Sequence, residues 1–254
     1  VLDIDELYGL SPARVSRVGA ALASFRAAGK KVVSFANYYD QSQYYLASFS
    51  DAIYMHPMGQ IVLDGFGSSS LYFNELLSNY DVNVHIFRVG DYKSAVEPLI
   101  RNDMSEASRQ ASEVLYNDLW QHMIGQVADN RDLQVHDVDA YAQQLPALVK
   151  AAGGDMARAA LESNLVDELL TSDQVRVRIA DDVGLKPTGD GFNGINYEAY
   201  LAATSSAATG ASTDHVAVLV AQGAIMLDGP PGQVASAKEL NRLIRQARYN
   251  KDIK

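Results

Sequence analysis

Apolar and polar positions along this chain follow two patterns, short β-type runs and longer amphipathic stretches. β-branched and aromatic runs predict strands at residues 1–4, 31–36, 52–56, 60–63 and 84–89. Between Pro12 and Gly29, apolar residues instead recur at helical spacing, which predicts a helix. A strand, a helix and a strand in this order predict a right-handed βαβ unit, and therefore an α/β fold with a parallel sheet.

The composition of the chain changes toward its C-terminal end. Residues 204–212 are small and polar, as is typical of linkers. We therefore expect a first domain at 1–200, a linker at 201–213 and the opening βα segment of a second domain at 214–254. A buried-type strand is predicted at 215–220, near the start of that last segment.

Overall composition narrows the possible functions. The chain has 254 residues, of which 48% are hydrophobic and 20% are charged, as in an ordinary globular protein. Its net charge of -10 argues against binding to nucleic acid or to an anionic membrane surface, because both need a basic face. There are no cysteines, and none of the five histidines has the spacing of a metal motif, so neither a metal nor another cofactor is expected.

One lysine lies in a context that can carry chemistry. The strand predicted at 84–89 is broken by Gly90, and Lys93 follows. Ser94 and Glu97 then have the spacing of a capping box, which predicts a helix start. The positive end of a helix, together with burial, disfavours the charged ammonium, and a neutral lysine can act as a general base.

Several strings of the sequence resemble one bacterial family. The longest runs from Phe87 to Pro98, FRVGDYKSAVEP, and continues in Asp103-Met104-Ser105. Further matching strings, in the same order along the chain, are QYYLASF at 43–49, DGF at 64–66, LVD at 165–167 and QGAIM at 222–226. The chain resembles, over nearly its whole length, the long, tandem-repeat form of bacterial signal peptide peptidase A (protease IV).

The resemblance implies a Clp protease–crotonase-like fold of repeated βαβ units, with helical extensions for assembly. It implies a membrane-associated serine endopeptidase that degrades cleaved signal peptides with a Ser/Lys dyad, in which Lys93 is the general base. The family's nucleophilic serine lies in the second repeat. This chain is therefore expected to hold most of the first repeat and only the start of the second, and to be inactive alone.

The same resemblance implies where the intact enzyme works and what it contacts. Its partners are expected to be peptide substrates and further copies of itself, in a homo-oligomer. It is expected to be anchored in the inner membrane by a segment outside this chain, with its domain facing the periplasm.

Two other places are candidates for a substrate groove or a vestigial site. By the resemblance, Ser42 matches the position of the nucleophile in the family's second repeat. It lies between Gln41 and Gln43, whereas the resemblance implies a glycine-rich sequence around an active serine. A helix-capping role is therefore favoured for Ser42. Gly65, Phe66 and Gly67 lie in a turn whose glycines let backbone approach a ligand closely.

Two further functions stay open as alternatives. The helix predicted at 105–129 carries Trp120 and Met123 on or near its apolar face, so the chain is alternatively a non-catalytic assembly domain. The other alternative is a crotonase-type acyl-CoA hydratase or isomerase. That chemistry needs a carboxylate base beside oxyanion donors and a basic patch for the CoA phosphates, and neither is evident in the sequence.

Overall fold

The computed structural model describes residues 1–189, 191–204, 216–230, 233–251 and 253. They group into two compact units, Val1–Asn193 and Gly194–Lys254. In the first unit, the described residues form the strands β1 Leu2–Asp3, β2 Val33–Ala36, β3 Ala52–Met55 and β4 Glu168–Leu169. Its helices are α1 Pro12–Ala27, α2 Gln41–Ala47, α3 Asn74–Asn79, α4 Glu97–Ile100, α5 Glu106–Arg131, α6 Val135–Ala151, α7 Met156–Glu162 and α8 Ser172–Val183.

The strands of the first unit form one parallel sheet in the order β1-β2-β3-β4. Leu2 is paired with Ser34, Phe35 with Tyr54, and Tyr54 with Glu168. Helix α1 connects β1 to β2, and α2 connects β2 to β3, so two successive βαβ units build this sheet. The α/β class and the parallel sheet predicted from the alternating patterns are confirmed.

Successive side chains of a strand point to opposite faces of the sheet, and both faces are covered here. Ala36, Ile53 and Met55 face the larger core, which includes buried residues of α2, α5, α6 and α7. Val33, Phe35 and Tyr54 face the other side, where Val175 and Ile179 of α8 cover them. Strands buried on both faces are typical of parallel sheets with helices on each side.

The second unit is described by itself. It contains helix α9 Tyr197–Thr204, strands β5 Ala224–Met226 and β6 Val234–Ser236, which pair in parallel, and helix α10 Ala237–Tyr249. Residues 201–204 of the expected linker are the end of α9, and the remainder of that linker lies outside the described residues. The strand predicted at 215–220 is wrong for residues 216–220, which have no strand structure, and His215 is outside the described residues.

Two strands predicted in the first unit are also wrong. In residues 60–63, only Ile61 makes an isolated parallel bridge, to Tyr39. Residues 84–89, all of them described, form no strand. A high β propensity does not produce a strand unless a neighbouring strand can pair with it and its side chains can pack.

Candidate active site

Lys93 lies in an exposed turn. We call residues 82–101 the Lys93 segment. Gly90 turns the chain with a φ of +103°, a conformation that favours glycine, and the amide of Lys93 donates to the carbonyl of Gly90 at 3.4 Å. The side chain of Lys93 is exposed, and it has no hydrogen bond or ion pair within the part of the chain that the structure describes.

The helix start predicted beside Lys93 is displaced. Helix α4 begins at Glu97, and the capping position before it is Val96, whose side chain makes no capping bond. Ser94 contributes its backbone carbonyl, which accepts from the Glu97 amide at 2.9 Å, and not the hydroxyl that a capping box needs. The predicted box is therefore wrong, because the carboxylate of Glu97 points to a tertiary partner.

That partner is Ser105, the N-cap residue of α5. The hydroxyl and the amide of Ser105 donate to the two carboxylate oxygens of Glu97, at 2.5 and 3.1 Å. Hydrogen bonding to the Ser105 hydroxyl is the main cause that lowers the pKa of Glu97, and burial acts in the opposite sense. The Nη1 atom of Arg88 lies 3.8 Å from Glu97 Oε1 and donates to the carbonyl of Lys93 at 3.0 Å.

Ser42 lies in a different environment, in residues 37–50, which we call the Ser42 segment. The N-cap of α2 is Asp40, which forms a complete capping box with Gln43. The capping role predicted for Ser42 is therefore wrong. The hydroxyl of Ser42 donates to the carbonyl of Leu10 at 3.2 Å, and Ser42 is half-buried.

Gln43 fixes the chain next to Ser42. Its side chain is fully buried. Its amide nitrogen donates to the carbonyls of Ile4 at 2.9 Å and Leu7 at 3.2 Å, and its oxygen accepts from the amide of Asp40 at 2.8 Å. A polar side chain therefore ties α2 to the loop after β1.

The turn at 64–67 is linked to the same helix. The side chain of Gln41 accepts from the Gly65 amide at 2.7 Å and donates to the Gly65 carbonyl at 3.0 Å. Gly65 has a φ of +77°, Phe66 packs against the larger core, and Gly67 is exposed. Because the Gly65 amide already has a partner, it is not a free donor for a substrate oxygen.

Gly65 and Phe66 line a cavity of about 260 Å³. Trp120 and Asp139 line it too, and the indole nitrogen of Trp120 donates to Asp139 at 2.8 Å. The structure thus links Gly65 to the helix of Ser42 through Gln41. Among the described residues, no hydrogen bond or ion pair joins Lys93 to either of them.

The ion pair between Arg88 and Glu97 could not be predicted from the sequence. Their separation of nine positions matches neither helical nor strand spacing. Glu97 drew attention only as the end of the wrong capping box. From the sequence, Glu97 is only one charged residue among several. Its role becomes visible when the structure shows that it is buried in an otherwise exposed segment.

Comparison with known proteins identifies the family of this chain. Residues 24–186, which include Ser42, Gly65 and Lys93, match the model of Peptidase family S49. This range covers more than half of the chain. The chain therefore belongs to peptidase family S49.

Individual relatives agree with that membership. Over its full length the chain is 39% identical to Protease 4 of Salmonella typhi, of which it covers 40%. It is 31% identical over its full length to Protease 4 of Haemophilus influenzae, of which it covers 41%. Serine protease SPPA, chloroplastic, of Arabidopsis thaliana is 22% identical over 95% of the chain. The resemblance found in the sequence is confirmed, and the chain spans about two fifths of the length of these bacterial relatives.

Proposed function

We propose that this chain forms the lysine-bearing part of a serine endopeptidase with a Ser/Lys dyad, in which Lys93 is the general base. The observation that carries the proposal is the family match, which includes the whole string around Lys93. The exposed side chain of Lys93 supports it, because a base must reach a nucleophile that approaches from outside its own segment. Membership of a peptidase family also favours this function over acyl-CoA chemistry.

In the proposed chemistry the nucleophilic serine comes from the second repeat, as the resemblance implies. The neutral amine of Lys93 accepts the proton of the serine hydroxyl while the oxygen attacks the peptide carbonyl. The amine then returns that proton to the leaving nitrogen, and water hydrolyses the resulting acyl-enzyme. The oxyanion donors come with the serine-bearing unit, since the amide of Gly65 is already bonded to Gln41.

The surroundings of Lys93 support a unit that covers it. Phe87 is 98% exposed and Val89 is 84% exposed, and Tyr92 next to the lysine is also exposed. Apolar side chains on such a surface are typical of a docking face. Covering this face would also exclude water from the proposed reaction site.

Assembly into a homo-oligomer is part of the proposal, but not through the residues first expected. Met123 is buried in the core of its own unit, and the half-buried Trp120 is bonded to Asp139. Met123 is therefore not available as a docking residue, and Trp120 already packs against the core of its own unit. Val114 and Leu115, nearer the start of α5, are 59% and 54% exposed and are the apolar side chains that the helix offers a second copy.

By its resemblance, we propose that the intact enzyme acts on peptides, cleaved signal peptides among them, and works in the periplasm from an anchor in the inner membrane. The anchor would lie outside residues 1–254. Among the described residues, every helix is too short or too polar to span a bilayer.

The test is peptide hydrolysis by the full-length protein that carries this chain. Lys93→Ala should abolish turnover while the melting temperature stays unchanged, because the side chain is exposed. Lys93→Arg should also be inactive, since a guanidinium does not give up its proton. The matched control is Lys150→Arg, at an exposed lysine in the last turn of α6, which should keep full activity.

The isolated 254-residue chain gives a second test, because it should show no turnover above background. Substantial hydrolysis by a folded Lys93→Arg protein would remove Lys93 from the mechanism. Turnover by the isolated chain that disappears in Ser42→Ala would make Ser42 the nucleophile and would overturn the division of the dyad between two units.

A further inference from the structure

Glu97 is an exception in its part of the chain. Between Leu63 and Met123, a stretch that the structure describes throughout, Glu97 is the only buried residue. Its side chain is 2% exposed. Burying a carboxylate costs free energy unless hydrogen bonds or an opposite charge replace the lost water. Packing of the short helix α4 does not offset this cost, so the contacts of the Glu97 carboxylate must.

One set of contacts attaches Glu97 to the long helix. Both of its oxygens accept from Ser105, at 2.5 and 3.1 Å, and the Ser105 hydroxyl also accepts from the amide of Ser108 in the first turn of α5. Helix α5 continues to Arg131, and its C-terminal half packs into the larger core. Glu97 thus connects the Lys93 segment to α5, the longest described helix of the unit.

The other contact attaches Glu97 to the lysine itself. Nη1 of Arg88 lies 3.8 Å from Glu97 Oε1 and donates to the backbone carbonyl of Lys93 at 3.0 Å. Arg88 therefore closes the turn from 88 to 93 around Gly90, and its own position is set by Glu97. The contact holds the backbone of Lys93 and leaves the amine free to react.

We propose that Glu97, acting through Arg88, is a positioning residue that sets where the amine of Lys93 stands relative to the serine hydroxyl. The inference rests on the proposed function of Lys93 and names how that site is held. Arg88 and Glu97 make no hydrogen bond or ion pair with the amine of Lys93. Their effect is on the geometry of proton transfer, where a displacement of about 1 Å can reduce the rate about 100-fold.

The experiment uses the full-length protein and a peptide substrate, with kcat and KM measured separately. Arg88→Met and Glu97→Gln should each lower kcat by about 10- to 100-fold and leave KM within about twofold, because substrate binding does not involve the turn. The double variant should lose no more than the worse single variant, because both act through one chain of contacts. Arg88→Lys should recover part of the kcat lost in Arg88→Met. A lysine ammonium can contact either the Glu97 carboxylate or the Lys93 carbonyl, but it cannot bridge both as the guanidinium does.

The matched control is Arg101→Met. Arg101 is a nearby exposed arginine that pairs with Asp103 and does not contact the Lys93 carbonyl, so its removal should leave kcat unchanged. Melting temperatures of all variants identify any general loss of folding. If Glu97→Gln unfolds, Arg88→Met decides, because its side chain is 35% exposed and its replacement is not expected to break the core.

Three results would overturn the positioning role. These are an unchanged kcat in folded Arg88→Met, losses that multiply in the double variant, and a change confined to KM. Each result is compared with the activity of Lys93→Ala, which tests the proposed function separately. If Lys93→Ala is inactive and Arg88→Met is not impaired, the positioning role alone fails, whereas an active Lys93→Ala removes the proposed function itself.

Discussion

The Ser42 segment and the Lys93 segment each contain one residue type of a Ser/Lys dyad, but most of the first segment is buried and most of the second is exposed. From Gln43 to Ser50 every residue is buried. In the Lys93 segment only Glu97 is buried. The difference shows that the serine of this unit is bonded within a packed helix region, whereas the side chain of Lys93 is exposed.

The two segments are also held by different forces. In the first, buried neutral side chains supply hydrogen bonds beside the carboxylate cap of Asp40: the Gln43 amide donates to two carbonyls, and the Tyr44 hydroxyl donates to the carbonyl of Leu165 at 2.8 Å. Charged groups hold the second, through Glu97 and Arg88. Substitutions in the Ser42 segment should therefore change stability, and substitutions in the Lys93 segment should change activity.

The largest effect is expected from Gln43→Leu. It removes a buried amide and leaves the carbonyls of Ile4 and Leu7 and the amide of Asp40 without that partner, so we expect a loss of about 3 kcal/mol in the free energy of unfolding. Urea unfolding measures it. Gln41→Leu, at a half-buried residue bonded to Gly65, is the control and should cost about 1 kcal/mol or less. Equal losses in both would contradict a special role of burial.

Phe87→Ser should produce the next largest effect, on activity and not on folding. Phe87 is 98% exposed, so its removal leaves the core of this unit intact. If the serine-bearing unit covers it, the lost apolar contact should lower kcat/KM about tenfold, which corresponds to about 1.4 kcal/mol. Met58→Ser, at another exposed apolar residue, is the control. An unchanged kcat/KM in Phe87→Ser would argue that this face stays uncovered.

A smaller effect, confined to acid pH, is expected from Glu97. The hydrogen bond from the Ser105 hydroxyl is the main cause that lowers the pKa of Glu97. The ionised carboxylate therefore stabilises the fold at pH values above the pKa of a glutamate in the unfolded chain, about 4.3. This contribution should be lost as the pH falls through the lowered pKa. Urea midpoints measured from pH 7 down to pH 3 should show a steeper acid loss in the unmodified protein than in Glu97→Gln. Identical slopes would argue against this linkage.

Ser42→Ala should have the smallest effect. It removes one half-buried hydrogen bond of 3.2 Å to the Leu10 carbonyl, which we expect to cost about 0.5 kcal/mol. Peptide hydrolysis by the full-length protein should stay unchanged. A loss of activity comparable to that of Lys93→Ala would place both dyad residues in this unit and remove the contrast between the two segments.

Regular elements with a clear period could be predicted from the sequence. The helices predicted from Pro12 and at 105–129 agree with α1 and α5, and the strands at 31–36 and 52–56 agree with β2 and β3. The helices repeat their apolar residues at helical spacing, and the strands are short β-branched and aromatic runs buried on both faces. In each case burial favours the same conformation as local preference.

Of the candidate site, the sequence predicted the position of Lys93, because the string from Phe87 to Pro98 resembles the family. The sequence pointed to Lys93, and it also pointed to a strand and a helix start around it that do not form. The string at 84–89 has no paired neighbour, and Ser94 lost its predicted capping role because Glu97 is bonded to Ser105, eight positions later. Helix-start patterns in the sequence do not show that a residue outside the pattern, here Ser105, will bind Glu97 in the folded chain.

The amino-acid sequence by itself determined the α/β class, the parallel sheet, the peptidase family and the lysine that we propose as the base. These follow from periodicity and from a string of residues, both of which are local properties of the chain. The tertiary structure alone decided that Gln43 is buried, that Ser42 is bonded to Leu10, and that Glu97 and Arg88 hold the backbone of Lys93. Burial and hydrogen bonds between distant positions depend on which elements pack together, and no spacing along the chain encodes that directly.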